Sequence, residues 1–561
     1  MERKFNLVLE PWIQVRRPDE TVETVSLADL FANAQTYTEL AGETAAQNAA
    51  VLRPLLGIVH KAILENDPDG DPDLLEEKDK CYDRWQEIWE SGHLPQAPIQ
   101  NYLKEHIDDF WLIDEKNPFM QSTLAKIGTV YGASKLLGNV AESSNKVRLF
   151  SSRALEGKKS VSFAEAARWL LNLNGYDDTS AKAKNKEQSD GSPGAGWLGK
   201  LGQLYAKGEN LFETLMLNCI LIRDGKEVYP PDHLSWEDSQ TRWKERHHVS
   251  QPGNFGELMT FRSRLILLES DGDCVTGYKL LGGEYFDREN CFAEPFTVWR
   301  AGKEVKDKPR EFTPKRHSEA RQLWRDFSSI VAPEQETGVA RPGIVEWIQL
   351  LIKARALPSD YPIVLEAPFV SYGDKDFFIT NVSSQNLTLL SGMFADAGTE
   401  WIKEIQKQIK TIDKIAACAG YFYADVAEVR GGKKETRETE KARGMSKAYA
   451  LLDEPFSAWL SSIRPEENDE AAIEQKVGEW ASQAALLLTR FRRKKIEKSI
   501  NMADPGAVFG RMIKDPESGQ DKSISILQAD QKFAAQIRKY YPSADLFTRD
   551  KEEVIPNDEQ A

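Results

Sequence analysis

The spacing of apolar residues changes near residue 384, and no other feature of the 561-residue chain constrains its fold as strongly. Before this point, short β-rich runs alternate with amphipathic stretches. After it, apolar residues recur at spacings of three and four in four consecutive segments, 387–426, 441–463, 469–500 and 525–541. Four amphipathic helices in a row predict an antiparallel four-helix bundle. We therefore expect an α+β chain, with a large mixed α/β N-terminal domain over 1–383 and the C-terminal bundle over 384–561.

The N-terminal part begins with strands and continues with helices. The run FNLVLEPWIQVRRPDETVETVSL predicts two short strands around the turn residues Pro18 and Asp19, with Ser26 able to cap a following helix. Helical spacing and β-rich patterning then alternate. Helices are expected at 44–64, 81–91, 163–173, 211–222, 319–331 and 343–356, and extended segments at 255–299 and 362–380.

Composition narrows the class of protein. The formal net charge of −15 disfavours a protein that coats nucleic acid with its whole surface, but it allows local contacts. The sequence has no apolar run long enough to cross a membrane, and its first residues lack the order of a signal peptide, which indicates a cytoplasmic protein with no membrane partner. The five cysteines are scattered and never form a C-x-x-C pair, which argues against a disulfide framework or a Cys-rich zinc site.

The run KAKNKEQSDGSPGAGWLGKLG, residues 182–202, combines five glycines with four lysines. Glycine lets the backbone approach a ligand closely and lysine supplies mobile positive charge, so the run suits contact with a polyanion. The same composition is typical of a solvated surface loop. The residue pattern alone leaves both interpretations open.

Motifs for catalysis are absent from the sequence. It contains no G-x-S-x-G, Walker or H-E-x-x-H pattern, and the glycine-rich run is not preceded by the strand that a dinucleotide fingerprint requires. His247 and His248 are the best metal candidates, but adjacent residues point in different directions, which disfavours a shared metal site. We expect no enzyme activity, no cofactor and no metal.

Two basic clusters stand out from the acidic background. The stretch 300–325 holds nine Lys/Arg against four acids and includes two aromatic residues, and TRFRRKKIEK at 489–498 holds six positive charges. Both patterns are compatible with phosphate contact. They are equally compatible with a solvated helix face, and cations at a helix C-terminus also complement the helix dipole.

Several stretches, taken in order along the chain, resemble a known family. They are FNLVLEPWIQV, NPFMQ at 117–121, KLLGNVAESSNKVRLFSS, the glycine-rich run before LFETLMLNCIL, MTFRSRLILL, EPFTVW followed by RQLWRDF, and the four helical segments at the end. The family is the large subunit of the type I-E CRISPR surveillance complex Cascade, called CasA. The resemblance spans nearly the whole chain.

This resemblance implies a non-catalytic function. Family members hold the 5′ handle of the guide RNA, recognise the protospacer-adjacent motif in target double-stranded DNA, help to open its strands during R-loop formation, and recruit the helicase-nuclease in antiviral defence. Guide pairing reads the sequence, while the protein reads only the short motif and its shape. The implied partners are therefore the guide RNA handle, the target duplex, the helicase-nuclease, and the backbone, small and handle-end subunits of Cascade.

The resemblance also assigns residues to two loops. A loop that reaches the RNA handle corresponds to Asn145, Arg148 and Phe150. The motif-reading loop corresponds to Gly194, Gly196, Gly199, Lys200 and Gly202, where glycine backbone would approach the minor groove and Lys200 would meet phosphate. We expect residues 194–202 to be mobile and poorly packed in the free chain and to become ordered on DNA.

A strand-separating wedge and a basic finger complete the implied site. The wedge is a short hairpin in SYGDKDFFIT, with Asp374, Lys375, Asp376 and Phe377 at its tip. This sequence departs from the family, because Lys375 and Asp376 stand where the best-known members carry Asn-Gln, and an aspartate would repel phosphate. Either the register differs, with Lys375 or Phe377 inserted between the bases, or the wedge acts less directly. In an alternative interpretation, Phe377 and Phe378 are alternating strand residues, one of them packed inside.

The candidates for the basic finger are Lys279 and Arg288.

Two rival functions remain compatible with the residues. One is a scaffold subunit without direct DNA reading, and the other is an enzyme that holds a nucleotide phosphate in the glycine-rich run. Tight binding of ATP or GTP that is abolished by Gly196→Ala would favour the enzyme. Motif-dependent duplex binding by the complex that does not change when this chain is omitted would favour the scaffold.

Overall fold

The structure is a computed structural model that describes residues 3–142, 151, 153–179, 194–238, 251–284, 287–303, 309–331, 340–514 and 521–542. It divides into two compact units, Met1–Leu387 and Thr388–Ala561. The predicted fold class is confirmed: the first unit mixes helices with small sheets, and the second is a helical bundle. No helix in the described part of the chain is long and apolar enough to cross a membrane.

The helices of the first unit are α1 Leu27–Asn33, α2 Ala45–Glu65, α3 Lys78–Ser91, α4 Gln96–Glu105, α5 Ala133–Leu136, α6 Phe163–Tyr176, α7 Leu211–Asn218, α8 Phe255–Met259, α9 Phe327–Ile330 and α10 Gly343–Lys353. Helix α2 is the central element, because it is buried on nearly every face and packs against α4, α6, α7 and α8. Its run AAQNAAVLRPLLGIVHKAIL carries apolar residues on every side with only a few polar residues among them, as suits a helix surrounded by other elements.

The strands of the first unit are β1 Lys4–Asn6, β2 Ile13–Arg16, β3 Val22–Val25, β4 Glu39–Leu40, β5 Trp111–Ile113, β6 Thr129–Gly132, β7 Val161–Ser162, β8 Tyr205–Lys207, β9 Ile222–Arg223, β10 Glu227–Val228, β11 Arg264–Asp271, β12 Cys274–Gly282, β13 Trp299–Ala301, β14 Phe312–Pro314, β15 Pro362–Tyr372 and β16 Ile379–Leu390. They form small sheets in the orders β3-β2-β4, β11-β12-β6 with β7 beside β12, and β16-β15-β8, together with the pairs β1-β5, β9-β10 and β13-β14. The hairpin β15-β16 carries the predicted wedge at its turn.

Local signals in the sequence explain several of these elements. Strands β2 and β3 pair around the predicted turn, and the Ser26 hydroxyl accepts a hydrogen bond from the Asp29 amide at the start of α1, as predicted. The helix predicted over 211–222 is four residues too long, because the Asn218 side chain pairs with both backbone groups of Ala206 on β8. The helix predicted over 319–331 forms only in part: residues 319–322 are not helical, and residues 323–330 form a 3-10 turn followed by the short helix α9. The Asp326 carboxylate binds Lys315 and Arg321, and only short helical turns form.

The second unit contains α11 Thr399–Val429, α12 Lys434–Ser461, α13 Glu470–Ile500, α14 Pro505–Phe509, β17 Arg511–Lys514, β18 Asp521–Ile524 and α15 Ile526–Tyr540. Helix α11 packs against α12 and α15, and α13 packs against the same two helices, which closes the predicted four-helix bundle. The core includes Phe422, Phe456, Trp480 and Phe533. Residues 387–390, predicted as the start of the first helix, instead complete β16, and the small hairpin β17-β18 was not predicted.

Candidate nucleic-acid interface

The glycine-rich segment is packed into the first unit over its described part, residues 194–202. Ala195, Trp197, Leu198 and Leu201 are each less than 7% exposed, and residues 198–200 form a short 3-10 helix. The backbone is held as well, because the Gly196 amide donates to the Asp177 carbonyl at 2.9 Å and the Gly202 amide donates to the Thr297 hydroxyl at 3.1 Å. The expectation of a poorly packed loop is therefore wrong for 194–202; residues 182–193 lie outside the described residues.

Three of the glycines are needed because other parts of the protein approach them closely. A Cβ on Gly196 would lie 2.3 Å from the Gly175 carbonyl oxygen, one on Gly199 would lie 2.1 Å from the Tyr372 hydroxyl, and one on Gly202 would lie 1.8 Å from the Lys315 carbonyl oxygen. Gly194 differs, since its φ of +77° requires glycine, while the nearest atom that a Cβ would meet within the described ranges is the Lys200 Cε at 3.7 Å. The close approach predicted for a ligand is thus made, at three positions, by the protein itself.

A buried network centred on Glu294 holds this segment in place. The carboxylate, 0% exposed, accepts hydrogen bonds from Arg53 at 2.8 and 3.2 Å and from the Trp197 indole N–H at 2.9 Å. Burial lowers the pKa of Arg53, but the negative charge of Glu294 more than offsets this and the net shift is upward. Arg53 is therefore a permanent cation, and Glu294 is its buried counter-ion and the acceptor for Trp197.

The predicted hairpin is confirmed, and its tip is the turn between β15 and β16. Lys375 and Asp376 both adopt left-handed backbone, with φ of 53° and 59°, as tight hairpin turns require. Thr179 fixes the turn from outside: its amide donates to the Asp376 carbonyl at 3.0 Å and its hydroxyl donates to the Lys375 carbonyl at 2.8 Å. Phe377 and Phe378 are both exposed, at 46% and 44%, so neither is the inward strand residue of the alternative interpretation.

Asp376 does not present a bare carboxylate. Both terminal nitrogens of Arg316 donate to it, at 2.9 and 3.0 Å, and the guanidinium lies over the Tyr372 ring at 5.2 Å from the ring centroid. The Tyr372 hydroxyl in turn donates to the Tyr176 carbonyl at 2.8 Å. The repulsion predicted between this aspartate and phosphate is therefore offset by the positive charge of Arg316.

The glycine-rich segment and the hairpin tip meet at Tyr372 and Arg316. Gly199 faces the Tyr372 hydroxyl, and Gly202 faces the backbone of Lys315 and Arg316. Residues that lie far apart in sequence, 194–202, 315–316 and 372–377, thus pack against one another. We call this group of residues the basic junction.

Positive charge concentrates at the basic junction. Burial lowers the pKa of Lys200 to about 8, and the neighbouring charges of Arg264, Arg288 and Arg316 act in the same direction. Each of these arginines has a carboxylate partner: Arg264 binds Asp177 at 2.7 Å, Arg288 binds Glu289 at 3.3 Å and Arg316 binds Asp376 at 2.9 Å. For the Lys200 ammonium the described residues provide no carboxylate partner. A lysine in this position gains from any anion that approaches it, because the anion offsets the repulsion among the cations.

The other predicted site residues have different outcomes. Lys279 lies in the middle of β12, opposite Leu267 on one side and Val130 on the other, and its ammonium binds Glu269 at 3.2 Å; its placement on a finger is wrong because this strand is central in its sheet. Arg288 lies on the connection after β12 and is 62% exposed, close to Lys200. Asn145, Arg148, Phe150, His247 and His248 lie outside the described residues.

The second basic cluster lies on α13 in the bundle. Together with α11 and α12 it lines an open groove of about 930 Å³. Part of the cluster is structural, because Lys495 binds Glu440 at 3.4 Å with its ammonium over the Tyr423 ring, and Arg492 binds Asp530 at 3.0 Å. The remaining cations in the groove include Arg490, Lys494 and Lys498.

Sequence reasoning missed the residues that join the two loops. Arg316 was part of the basic stretch 300–325, but no local pattern singles it out from its neighbours. Glu294 belongs to the EPFTVW stretch and Tyr372 to SYGDKDFFIT, but neither residue was assigned a role, and Thr179 lies in no motif. Only the fold brings these three residues to the glycine-rich segment and the hairpin.

The comparisons with known proteins decide the family. The family model of the CRISPR-associated protein Cse1 matches residues 6–491. The chain belongs to the Cse1 family. The resemblance to CasA that the sequence motifs indicated is confirmed. The CasA/Cse1 protein of Thermus thermophilus is 28% identical over 344 residues, an alignment that covers 60% of this chain and 62% of that relative, slightly less than two thirds of its length.

Solved Cse1 structures share the fold over nearly the whole chain. Cse1 from Thermobifida fusca has a TM-score of 0.79 and 26% identity, with 96% of this chain and 98% of that chain covered. Cse1 from Acidimicrobium ferrooxidans has a TM-score of 0.72 and 20% identity, with 97% and 99% covered. A chain from a CRISPR RNA-guided surveillance complex has a TM-score of 0.68 at 16% identity, with 97% and 100% covered, which shows the same fold.

Proposed function

We propose that this Cse1-family chain is the non-catalytic large subunit of a cytoplasmic type I-E CRISPR RNA-guided surveillance complex. It recognises the protospacer-adjacent motif in target double-stranded DNA and helps to open the strands for R-loop formation. The observation that carries this proposal is the basic junction, in which the glycine-rich segment, Arg316 and the hairpin tip lie side by side in a family member.

Within the glycine-rich segment, we assign the DNA contact to Gly194 and Lys200. Among the described residues, the nearest atom to a Cβ on Gly194 would be 3.7 Å away, so a groove edge can approach its backbone closely. Lys200 carries a charge that favours a nearby phosphate. Gly196, Gly199 and Gly202 position these two residues, since their own contacts are to the protein. This close packing also argues against the rival nucleotide-binding enzyme, which needs a free glycine-rich phosphate loop.

At the hairpin tip, we assign the wedge to Phe377. Its ring is apolar and 46% exposed at the turn, and an apolar side chain of this kind can insert between base steps and unstack them. Asp374 and Lys375 precede it in the same turn, while Asp376 is engaged by Arg316. Of the two registers compatible with the sequence, the exposure of Phe377 therefore favours the one with the aromatic ring inserted.

The remaining partners follow from family membership. We propose that the loop with Asn145, Arg148 and Phe150 contacts the guide RNA handle, that Arg288 acts as the basic finger, and that other Cascade subunits and the helicase-nuclease dock on this chain. The shared fold with a chain of an RNA-guided surveillance complex supports the assembly.

Strand opening at the hairpin is tested by Phe377→Ala in the reconstituted complex. A fluorescent base analogue is placed at the first base pair beyond the motif of a target duplex. The opened fraction is expected to fall about tenfold, because base–aromatic stacking contributes about 1–3 kcal/mol per base. A target with that base pair already unpaired is expected to bind the variant and the parent alike.

Phe509→Ala is the matched control, since Phe509 is an exposed phenylalanine of the other unit, at 81%. It is expected to leave opening unchanged. If Phe377→Ala opens the target as well as the parent does, Phe377 is not the wedge. The same conclusion follows if the variant also binds the unpaired target more weakly than the parent.

A further inference from the structure

The contact between Arg316 and Asp376 has the geometry of a phosphate site. Each terminal nitrogen of the guanidinium donates to one carboxylate oxygen, at 2.9 and 3.0 Å. The same planar fork accepts two oxygens of a phosphodiester with nearly the same spacing. A backbone phosphate can therefore take the place of the carboxylate on Arg316 without any change in the arginine.

The pair is open enough for such an exchange. The Arg316 and Asp376 side chains are 35% and 32% exposed. The neighbouring pair Arg321–Asp326 is different, because the Asp326 carboxylate is only 6% exposed and also binds Lys315 at 2.5 Å. Exposed ion pairs are weak in water, whereas a buried and doubly bound carboxylate is costly to displace.

Both partners keep their places when the pair opens. Arg316 lies over the Tyr372 ring, which orients the guanidinium independently of the carboxylate. The turn at Lys375 and Asp376 is held through its backbone carbonyls by Thr179, so the Asp376 side chain can move away while the hairpin tip remains. The surrounding charge favours the phosphate, since Lys200 lies nearby without a carboxylate partner among the described residues.

We propose that Arg316 binds one backbone phosphate of the target duplex beside the opened base step, and that Asp376 occupies this phosphate site until the duplex displaces it. The inference rests on the proposed function. It adds Arg316 as a residue that binds phosphate and Asp376 as the carboxylate that competes for the same site. Because the carboxylate competes with every phosphate, it weakens attachment to motif-bearing and unspecific duplex by the same factor.

The test uses the complex reconstituted with the full chain and a motif-bearing duplex in which single phosphates are replaced by neutral methylphosphonates. With the parent chain, one position near the motif boundary is expected to lose affinity on neutralisation. With Arg316→Gln, the same position is expected to become insensitive, and the slope of log affinity against log salt concentration is expected to decrease by about 1. Asp376→Asn is expected to raise affinity for motif-bearing and scrambled duplexes alike, by at most about fivefold, the upper value for an exposed ion pair.

Arg321→Gln is the control, because Arg321 is also paired with an aspartate and is 38% exposed. It is expected to leave the methylphosphonate profile unchanged. If the parent and Arg316→Gln give the same profile while motif dependence is intact, the phosphate site is wrong and the proposed function stands. If the complex shows no motif dependence that requires this chain, the proposed function itself fails. A gain from Asp376→Asn that persists in the Arg316→Gln background would overturn the displacement by phosphate.

Discussion

Replacing Glu294 by alanine is expected to lower the free energy of unfolding of the unit Met1–Leu387 by about 3–5 kcal/mol. The variant leaves the guanidinium of Arg53, 3% exposed, without its counter-ion, and it removes the acceptor of the Trp197 indole N–H. Peptide-resolved hydrogen exchange of the full chain, with urea unfolding, measures the effect in this unit. Exchange is expected to increase first in the segment 194–202, since Trp197 is its contact to the network.

Glu269→Ala provides the comparison for this prediction. Glu269 is also paired with a cation, Lys279, but its side chain is 41% exposed, so its loss is expected to cost less than about 1 kcal/mol. A second variant, Arg53→Met with Glu294→Leu, removes both charges and is expected to recover much of the stability. If Glu294→Ala and Glu269→Ala unfold at the same urea concentration, the network does not hold the glycine-rich segment.

Gly202→Ala is expected to destabilise the same unit by about 3 kcal/mol, the upper end for overpacking a filled site. The new Cβ would lie 1.8 Å from the Lys315 carbonyl oxygen, a backbone atom that can move only with the strand connection around it. Such a movement also shifts Arg316, the next residue. Thermal unfolding of the purified chain measures the loss, and the duplex affinity of the reconstituted complex is expected to fall with it.

Gly194→Ala separates backbone strain from overpacking in this experiment. At φ of +77° the alanine is strained by about 1–2 kcal/mol, but in the part of the chain that the structure describes it meets no atom closer than the Lys200 Cε at 3.7 Å. We expect the smaller loss of stability at Gly194. A Gly202→Ala chain as stable as the parent would mean that the segment does not pack against Lys315.

Much of the fold was predictable because its signals are local. The cap at Ser26, the apolar stripes of the bundle helices and the turn of the hairpin each depend on a few neighbouring residues. The helix after residue 211 was predicted too long because the residue that ends it, Asn218, binds a strand through its side chain. Contacts of this kind are set by tertiary packing, which overrides helical spacing.

The candidate site was predictable only in part, for the same reason. The glycine-rich composition suggested a mobile loop, although Trp197, Leu198 and Leu201 gave a signal for burial. The partner of Asp376 is 60 residues away in sequence, and Glu294 is 97 residues from Trp197. Family resemblance named the loops, but only the folded chain shows that they share Tyr372 and Arg316.

The central claim is that this chain gives its complex the ability to recognise a motif in duplex DNA. It is tested most directly by the ratio of affinities for a motif-bearing duplex and a scrambled duplex, measured at one salt concentration for complexes reconstituted with and without the chain. We predict a ratio well above one with the chain and a ratio near one without it. An affinity ratio that does not change when the chain is omitted would contradict this claim and would indicate a scaffold subunit instead.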